Sequence, residues 1–232
     1  MPLRGQGALV IWRSVTPESE EDALRWHNTE HMPERCAVPG FLRGRRYVSV
    51  AATPKHYLDF YETATAETIR SEPYLARLDN PTPWTRRVLP HFRGTFRIGC
   101  RVVASTGRGL GGAMLTARLR PAEGRGEALR AWLTGPVLAA MWAPAGVVGM
   151  HVLQTAPETT RVPTAEGKLK GGELAPAEDP WPLIVLVECS DSEVAEALPL
   201  GLLQPERLGE AGAEPDATVS GVYRLQLTMD PE

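Results

Sequence analysis

The chain reads as an α+β protein built from two tandem βαββαβ repeats of ferredoxin-like order, and three observations predict this. Strand-like and helix-like patterns follow that order twice along the sequence. A Gly-rich stretch, residues 107–112 (GRGLGG), separates the two sets. Matching residues recur: Trp26 and Gly40 meet Trp132 and Gly146 at an offset of 106, and Glu62 and Glu67 meet Glu188 and Glu193 at an offset of 126. Domains are therefore expected over 1–106 and 107–232.

Residues 7–15 (GALVIWRSV) form the first strand, and Thr16-Pro17 with the acidic residues after it opens a helix over 17–35. Pro39-Gly40 ends that helix. Residues 41–50 and 57–62 read as strands joined by a turn at Thr53-Pro54, a second helix runs from Ala66 to about Leu78, and 94–104 is strand-like again. The segment Asn80-Pro81-Thr82-Pro83-Trp84 is not helical throughout, because each proline pushes its predecessor towards extended geometry. The second set comprises strand 113–119, helix 125–142, strands 147–154 and 183–188, helix 192–198 and strand 219–228. Its extra 20 residues fall in 157–180, a stretch rich in Pro, Gly, Thr and Glu that reads as a long loop.

Composition narrows the function classes. The 232 residues are 43% hydrophobic and 23% charged, enough to bury a core. Basic and acidic side chains number 25 and 28, a formal charge of −3, so there is no polycationic field for nucleic acid or an anionic membrane. No run approaches the roughly 20 apolar residues of a membrane span, and the first six residues lack a signal-peptide layout. A cytoplasmic protein is expected. Cys36, Cys100 and Cys189 are odd in number and far apart, which reads as reduced, structural thiols. GRGLGG lacks the Lys-Ser/Thr of a phosphate loop and leads into a strand, so it is a linker.

Comparing the two repeats locates a candidate site. In the second repeat, Ala128, Leu129, Trp132, Leu133, Pro136, Val137, Ala140 and Met141 form one apolar helical stripe. The offset of 106 places Asp22, Ala23, Trp26, His27, Glu30, His31, Glu34 and Arg35 on the equivalent stripe of the first repeat. Ionisable groups there need a pocket, a partner or a ligand. His31 is the expected acid–base residue, with His27 beside it and Glu30 or Glu34 orienting it or sharing its proton; a rotated, water-facing helix is the bland alternative.

His27-Asn28-Thr29-Glu30-His31 also spells H-x-x-E-H, the order of inverted zinc peptidases. A zinc site needs a third ligand that the sequence does not offer, and Pro33 interrupts the helix directly after the motif. No metal ligand is assigned.

The segment from Trp26-His27-Asn28-Thr29-Glu30-His31-Met32-Pro33-Glu34-Arg35 through Pro39-Gly40-Phe41 to Arg45-Arg46-Tyr47 resembles the dimeric α+β barrel superfamily, especially EthD-like proteins. The His and Pro of the H-x-P motif of those proteins fall on His31 and Pro33. The likeness spans residues 7–62 and is only topological over 107–232, where Val137 stands in place of the His. It implies two ferredoxin-like sheets face to face as an intrachain barrel, with a pocket between sheet and helices. Relatives of this fold include isomerases, cyclases, cofactor-independent monooxygenases and haem-binding enzymes, so the fold does not choose a reaction.

Strand parity adds pocket candidates: Tyr57, Asp59 and Tyr61 share one face of the third strand. Arg46 and Tyr47 on the second strand, and Tyr74, Asn80 and Trp84 near the second helix, are further candidate substrate contacts. Glu62, matched by Glu188, reads as structural, as does His151, alone on its strand.

The expected function is a small-molecule enzyme with His-centred acid–base chemistry of the isomerase, cyclase or decarboxylase type, acting on a hydrophobic or aromatic substrate without a cofactor. The alternatives are a non-catalytic ligand-binding or accessory protein, and a metal- or haem-dependent enzyme using the His27/His31 pair. A monomer, as a fused pseudo-dimer, and a homodimer are both expected assemblies.

Overall fold

A computed structural model describes residues 1–170, 181–198, 201, 203–214 and 218–231. The first repeat contains β1 (Gly7–Val15), α1 (Glu20–Trp26), α2 (Met32–Cys36), β2 (Phe41–Ser49), β3 (His56–Thr63), α3 (Glu72–Asp79), α4 (Pro83–Val88) and β4 (Phe92–Gly107). The second contains β5 (Ala113–Leu119), α5 (Gly126–Trp132), α6 (Leu138–Ala140), β6 (Val147–Thr155), α7 (Ala165–Leu169), β7 (Leu183–Cys189), α8 (Ser192–Ala197), α9 (Pro205–Ala211) and β8 (Val219–Met229). The α+β class and both βαββαβ sets stand. Among the described residues no helix is long and apolar enough to cross a membrane.

The repeat shows itself at finer grain than element order. A five-residue π-helical turn joins α1 to α2 at His27–His31, and another joins α5 to α6 at Leu133–Val137, again at the offset of 106. π-turns are rare and widen a helix locally, so their recurrence fixes the alignment of the repeats. Gly40 and Gly146 likewise share left-handed backbone, with φ of 92° and 90°. A Cβ on Gly40 would meet Thr68 Cγ2 at 2.8 Å. We expect Gly40→Ala to destabilise the protein by about 1–2 kcal/mol, read as a lower denaturation midpoint with an unchanged slope.

Three helical details differ from the sequence reading. Helix 66–78 is broken at Ser71 into a 3₁₀ turn (Ala66–Arg70) and α3, because a continuous helix would need the N–H that Pro73 lacks. Helix α4 starts with Pro83 at its first position, and the Thr82 hydroxyl caps it by accepting from the Thr85 N–H at 3.0 Å. The segment expected as a loop over 157–180 contains a 3₁₀ turn at Pro157–Thr159 and α7, capped by Thr164; residues 171–180 lie outside the described residues.

The chain forms two compact units. One holds residues 4–101, 156–170 and 226–231; the other holds 1–3, 102–155 and the described residues of 181–225. The unit that holds most of the first repeat therefore also takes in 156–170 from the second. Strand order in the first unit is β4-β1-β3-β2-β8, and in the second β8-β5-β7-β6-β4, with β4 and β8 each contributing different residues to the two units.

In the first unit Leu9, Ile11, Arg13 and Val15 alternate onto the face of β1 that packs against α1 and α2. Tyr57, Asp59 and Tyr61 share that face, with Asp59 opposite both Ile11 and Arg46 in the strand register. The corresponding layer of the second unit is dry, built from Leu119, Leu129, Leu133, Val137, Met141, Val152, Val185 and Val187.

Candidate functional site

In the first unit the helix–sheet layer is polar where its counterpart is apolar. By the two offsets, Arg13 stands for Leu119, His27 for Leu133, His31 for Val137, Arg35 for Met141, Arg46 for Val152, Asp59 for Val185 and Tyr61 for Val187. All of these positions, polar and apolar, are buried. A sequence that spends charge inside a sheet–helix interface needs partners or a ligand for it.

Asp59 is the hub of the paired part. Arg13 Nε donates to its Oδ2 at 2.7 Å, and His27 Nε2 lies 3.3 Å from Oδ1. Arg46 Nη1 donates to His27 Nδ1 at 3.2 Å and to Asn28 Oδ1 at 2.7 Å, and its Nε donates to Gln226 at 3.0 Å. Because arginine only donates, Nδ1 of His27 accepts and Nε2 carries the proton to Asp59. Burial pushes His27 down to about 3, Asp59 opposing and Arg13, Arg46 and Arg35 adding to the drop. Its flanking cations hold Asp59 below the usual carboxylate range against burial.

These shifts set a pH dependence. A histidine with a depressed folded pKa binds fewer protons than in the unfolded chain, so its stability contribution is present above about 6.5 and is lost as pH falls towards 3. Asp59 adds loss only below about 4. Thermal melts between pH 6.5 and 4 should therefore fall steadily, and the slope should flatten in His27→Leu.

His31 differs. It is 9% exposed, its ring stacks on Trp26 at 4.2 Å and lies 5.5 Å from the His27 ring, and its Nδ1 is buried without a hydrogen-bond partner among the described residues. Burial first, then Arg35, His27, Lys170 and Arg13, hold it well below 6.5, so it is neutral. Arg13 Nη1, Arg35 Nη1 and the Tyr61 hydroxyl are likewise buried without a hydrogen bond among the described residues, although Glu34 Oε2 lies 3.5 Å from Arg35 Nη1. Arg35 pairs through Nη2 with Glu166 on α7, and Arg13 stacks 4.4 Å over the Phe92 ring.

Other candidates have different surroundings. Glu30 accepts from Trp26 Nε1 at 3.0 Å, from the Thr82 hydroxyl at 2.6 Å and from Thr85, so it ties α1 and the π-turn to α4, and among the described residues its carboxylate makes no hydrogen bond to His31. Glu34 lies 3.5 Å from Arg35 and 3.8 Å from Arg77, with burial raising its pKa, and it too makes no hydrogen bond to His31. Tyr57 donates to Glu20, and Tyr74 accepts from Arg97 at 2.9 Å. Asn80 bonds the Ala76 carbonyl at 2.8 Å on the exposed end of α3, a local cap with no place in the layer. Trp84 bonds Asp22 at 3.1 Å in a shallow surface groove shared with Arg25, Glu30 and Arg87. Tyr47 alternates to the opposite face of β2 from Arg46 and takes a bond from Arg45 at 3.0 Å, so it does not meet His31.

On that opposite face the structural reading of Glu62 and Glu188 has a geometric basis. Glu62 accepts from the Arg4 N–H at 2.7 Å and from Arg45 at 2.9 Å; Glu188 accepts from the Gly111 N–H at 2.7 Å and lies 3.0 Å from His151 Nε2. His151 also meets Ser105 Oγ at 2.9 Å.

Arg13, Arg35, Glu166 and Lys170 were not among the site residues expected from sequence. Arg13 announces itself as the charged member of the Leu9-Ile11-Val15 face, and Arg35 as the residue opposite Met141 in the stripe comparison. Glu166 and Lys170 carry no such signal. As a joint metal-ligand pair His27 and His31 do not fit, since both His27 nitrogens are committed, and no group of three or more His, Cys, Asp or Glu among the described residues is placed to hold a metal.

No protein-family model matches the chain, and no curated protein matches it. Solved structures do. An anthrone oxidase-like protein matches at 14% identity over 100% of this chain and 96% of its own, with a TM-score of 0.63. A haem-binding protein from Thermus thermophilus matches at 11% over 98% and 93%, TM-score 0.53. A ferredoxin-fold protein related to antibiotic biosynthesis monooxygenases, from Listeria monocytogenes, matches at 7% over 97% of each chain, TM-score 0.50. At these identities the likeness establishes the ferredoxin-like fold, while the narrower EthD-like resemblance has no family match behind it.

Proposed function

We propose that the chain is a small-molecule enzyme, EthD-like in type, in which neutral His31 removes a proton from an enolisable or aromatic substrate. The observation that carries this reading is a set of buried polar atoms without a hydrogen bond, His31 Nδ1, Arg13 Nη1, Arg35 Nη1 and the Tyr61 hydroxyl, in a layer whose repeat counterpart is packed with Leu, Val and Met. Native interiors rarely leave such atoms unpaired, and a cluster of them argues for a bound molecule. An accessory role would predict two satisfied histidines; only His27 is satisfied.

The roles follow from the geometry. His31 Nδ1 takes the proton, and the guanidinium groups of Arg13 and Arg35 stabilise the negative charge left on the substrate oxygen. His27, locked between Asp59 and Arg46, is a positioning residue for that helix turn. Glu30 fixes Trp26, on which His31 stacks. The resulting enolate has several fates: return of the proton at another carbon, loss of carbon dioxide, ring closure, or reaction with oxygen. The similarity to an anthrone oxidase-like protein makes an anthrone-type aromatic ketone the first substrate to try. There, one methylene and one dioxygen give one carbonyl and one water.

The test is oxygen uptake and product formation with anthrone, using untagged wild type and His31→Ala beside their visible spectra and metal content. Turnover lost in the variant supports the reading. Equal turnover in both, or a Soret band that disappears with His31, overturns it.

A further inference from the structure

We infer that the layer around His31 takes an aromatic ligand bearing a carboxylate, and that Lys170, at the end of α7, is the residue that selects for that charge. This deepens the proposed function and rests on the same site, although its test does not need turnover.

The first observation is the balance of charge. Arg13, Arg35 and Arg46 are buried, and Arg97 and Lys170 are partly buried. Against them stand Asp59, Glu166 and the half-buried Glu34. Asp59 is already shared by Arg13 and His27, and Glu166 is taken by Arg35. Among the described residues neither Lys170 nor Arg97 has a carboxylate within ion-pair distance; Arg97 meets only the Tyr74 hydroxyl and ring. Cations in excess inside a protein are costly unless an anion joins them. Among the described residues the Nη1 atoms of Arg13 and Arg35 make no hydrogen bond, Arg35 Nη1 having only the Glu34 carboxylate 3.5 Å away, and guanidinium forks match a planar carboxylate.

The second observation is the aromatic frame between these cations. Lys170 Nζ lies 5.8 Å from the Phe92 ring that also carries Arg13, and Phe92 meets Trp26 edge-on at 6.1 Å. His31 stacks on Trp26, so one run of rings joins the ammonium group to the imidazole. Burial pushes the Lys170 ammonium down to about 8, Glu166 opposing and Arg97, Arg35 and Arg13 adding to the drop. The group is thus charged at neutral pH and poorly compensated, the state that an arriving carboxylate stabilises.

The test is a fluorescence titration of the full chain with two probes, anthracene-9-carboxylate and the neutral anthracene-9-methanol. Wild type should bind the carboxylate at least about tenfold more tightly, and Lys170→Met, which keeps the apolar stem, should lose about tenfold on the carboxylate while leaving the alcohol unchanged. Lys170→Gln serves as a second variant, and far-UV circular dichroism checks that each is folded. Equal affinity for both probes, no binding of either, or an equal loss on both in the variants overturns the inference. His31→Ala separates it from the acid–base reading: carboxylate preference kept with turnover unchanged sinks only the base, and preference absent with turnover abolished sinks only the carboxylate subsite.

Discussion

His31→Ala is expected to slow turnover by about 10²–10⁴, the usual contribution of a positioned general base. The pH profile supplies a readout that a packing role would not move. An ordinary histidine base loses activity below about 6.5 as it protonates. His31 is held neutral well below that by burial and by the positive charges of Arg35, Lys170 and Arg13, so wild-type activity should persist into mild acid without an inflection near 6.5. His31→Val provides the packing control. Val137 fills the equivalent position of the other repeat at 2% exposure, so this variant should fold while losing as much activity as the alanine form. An active His31→Val would transfer the base role elsewhere.

Asp59→Ala is expected to cost about 3–5 kcal/mol of folding stability. It leaves Arg13 and Arg46 buried without the carboxylate between them and removes the acceptor of His27 Nε2. The contrasting experiment removes the whole network. Arg13→Leu, His27→Leu, Arg46→Val and Asp59→Val together copy Leu119, Leu133, Val152 and Val185, a set that packs without charge in the second unit. Replacing a buried ion network by apolar residues of fitting volume is typically neutral or stabilising by about 1–4 kcal/mol. The quadruple variant should therefore be at least as stable as wild type in chemical denaturation, yet inactive. A loss matching that of Asp59→Ala would mean that the network holds the first unit together.

The order of elements, the repeat and the contrast between its two helical stripes were legible because each is a local pattern repeated once. Leu133, Val137 and Met141 made His27, His31 and Arg35 conspicuous by simple subtraction. What the stripe could not show is which ionisable groups share bonds. Glu30 directly precedes His31 and Glu34 follows it by three residues, but the π-turn redirects side chains from ordinary helical spacing, and Thr82, Thr85 and Arg77 claim the two carboxylates. Tyr47 was misplaced because adjacent strand residues point to opposite faces, so it and Arg46 could not serve the same wall. Glu166 and Lys170 were invisible because Arg35, the partner of Glu166, and Phe92, the ring beside Lys170, are 131 and 78 residues away in the chain.

The pairing of Arg35 with Glu166 crosses the boundary between the two sequence repeats. Because α7 delivers Glu166 to Arg35, the insertion carried by the second repeat completes the interior of the first. Residues 1–106 alone would keep Arg35 beside Glu34 at 3.5 Å but without the Glu166 carboxylate on its other nitrogen. Residues 1–106 expressed alone should therefore unfold at a lower denaturant concentration than the same residues within the full chain.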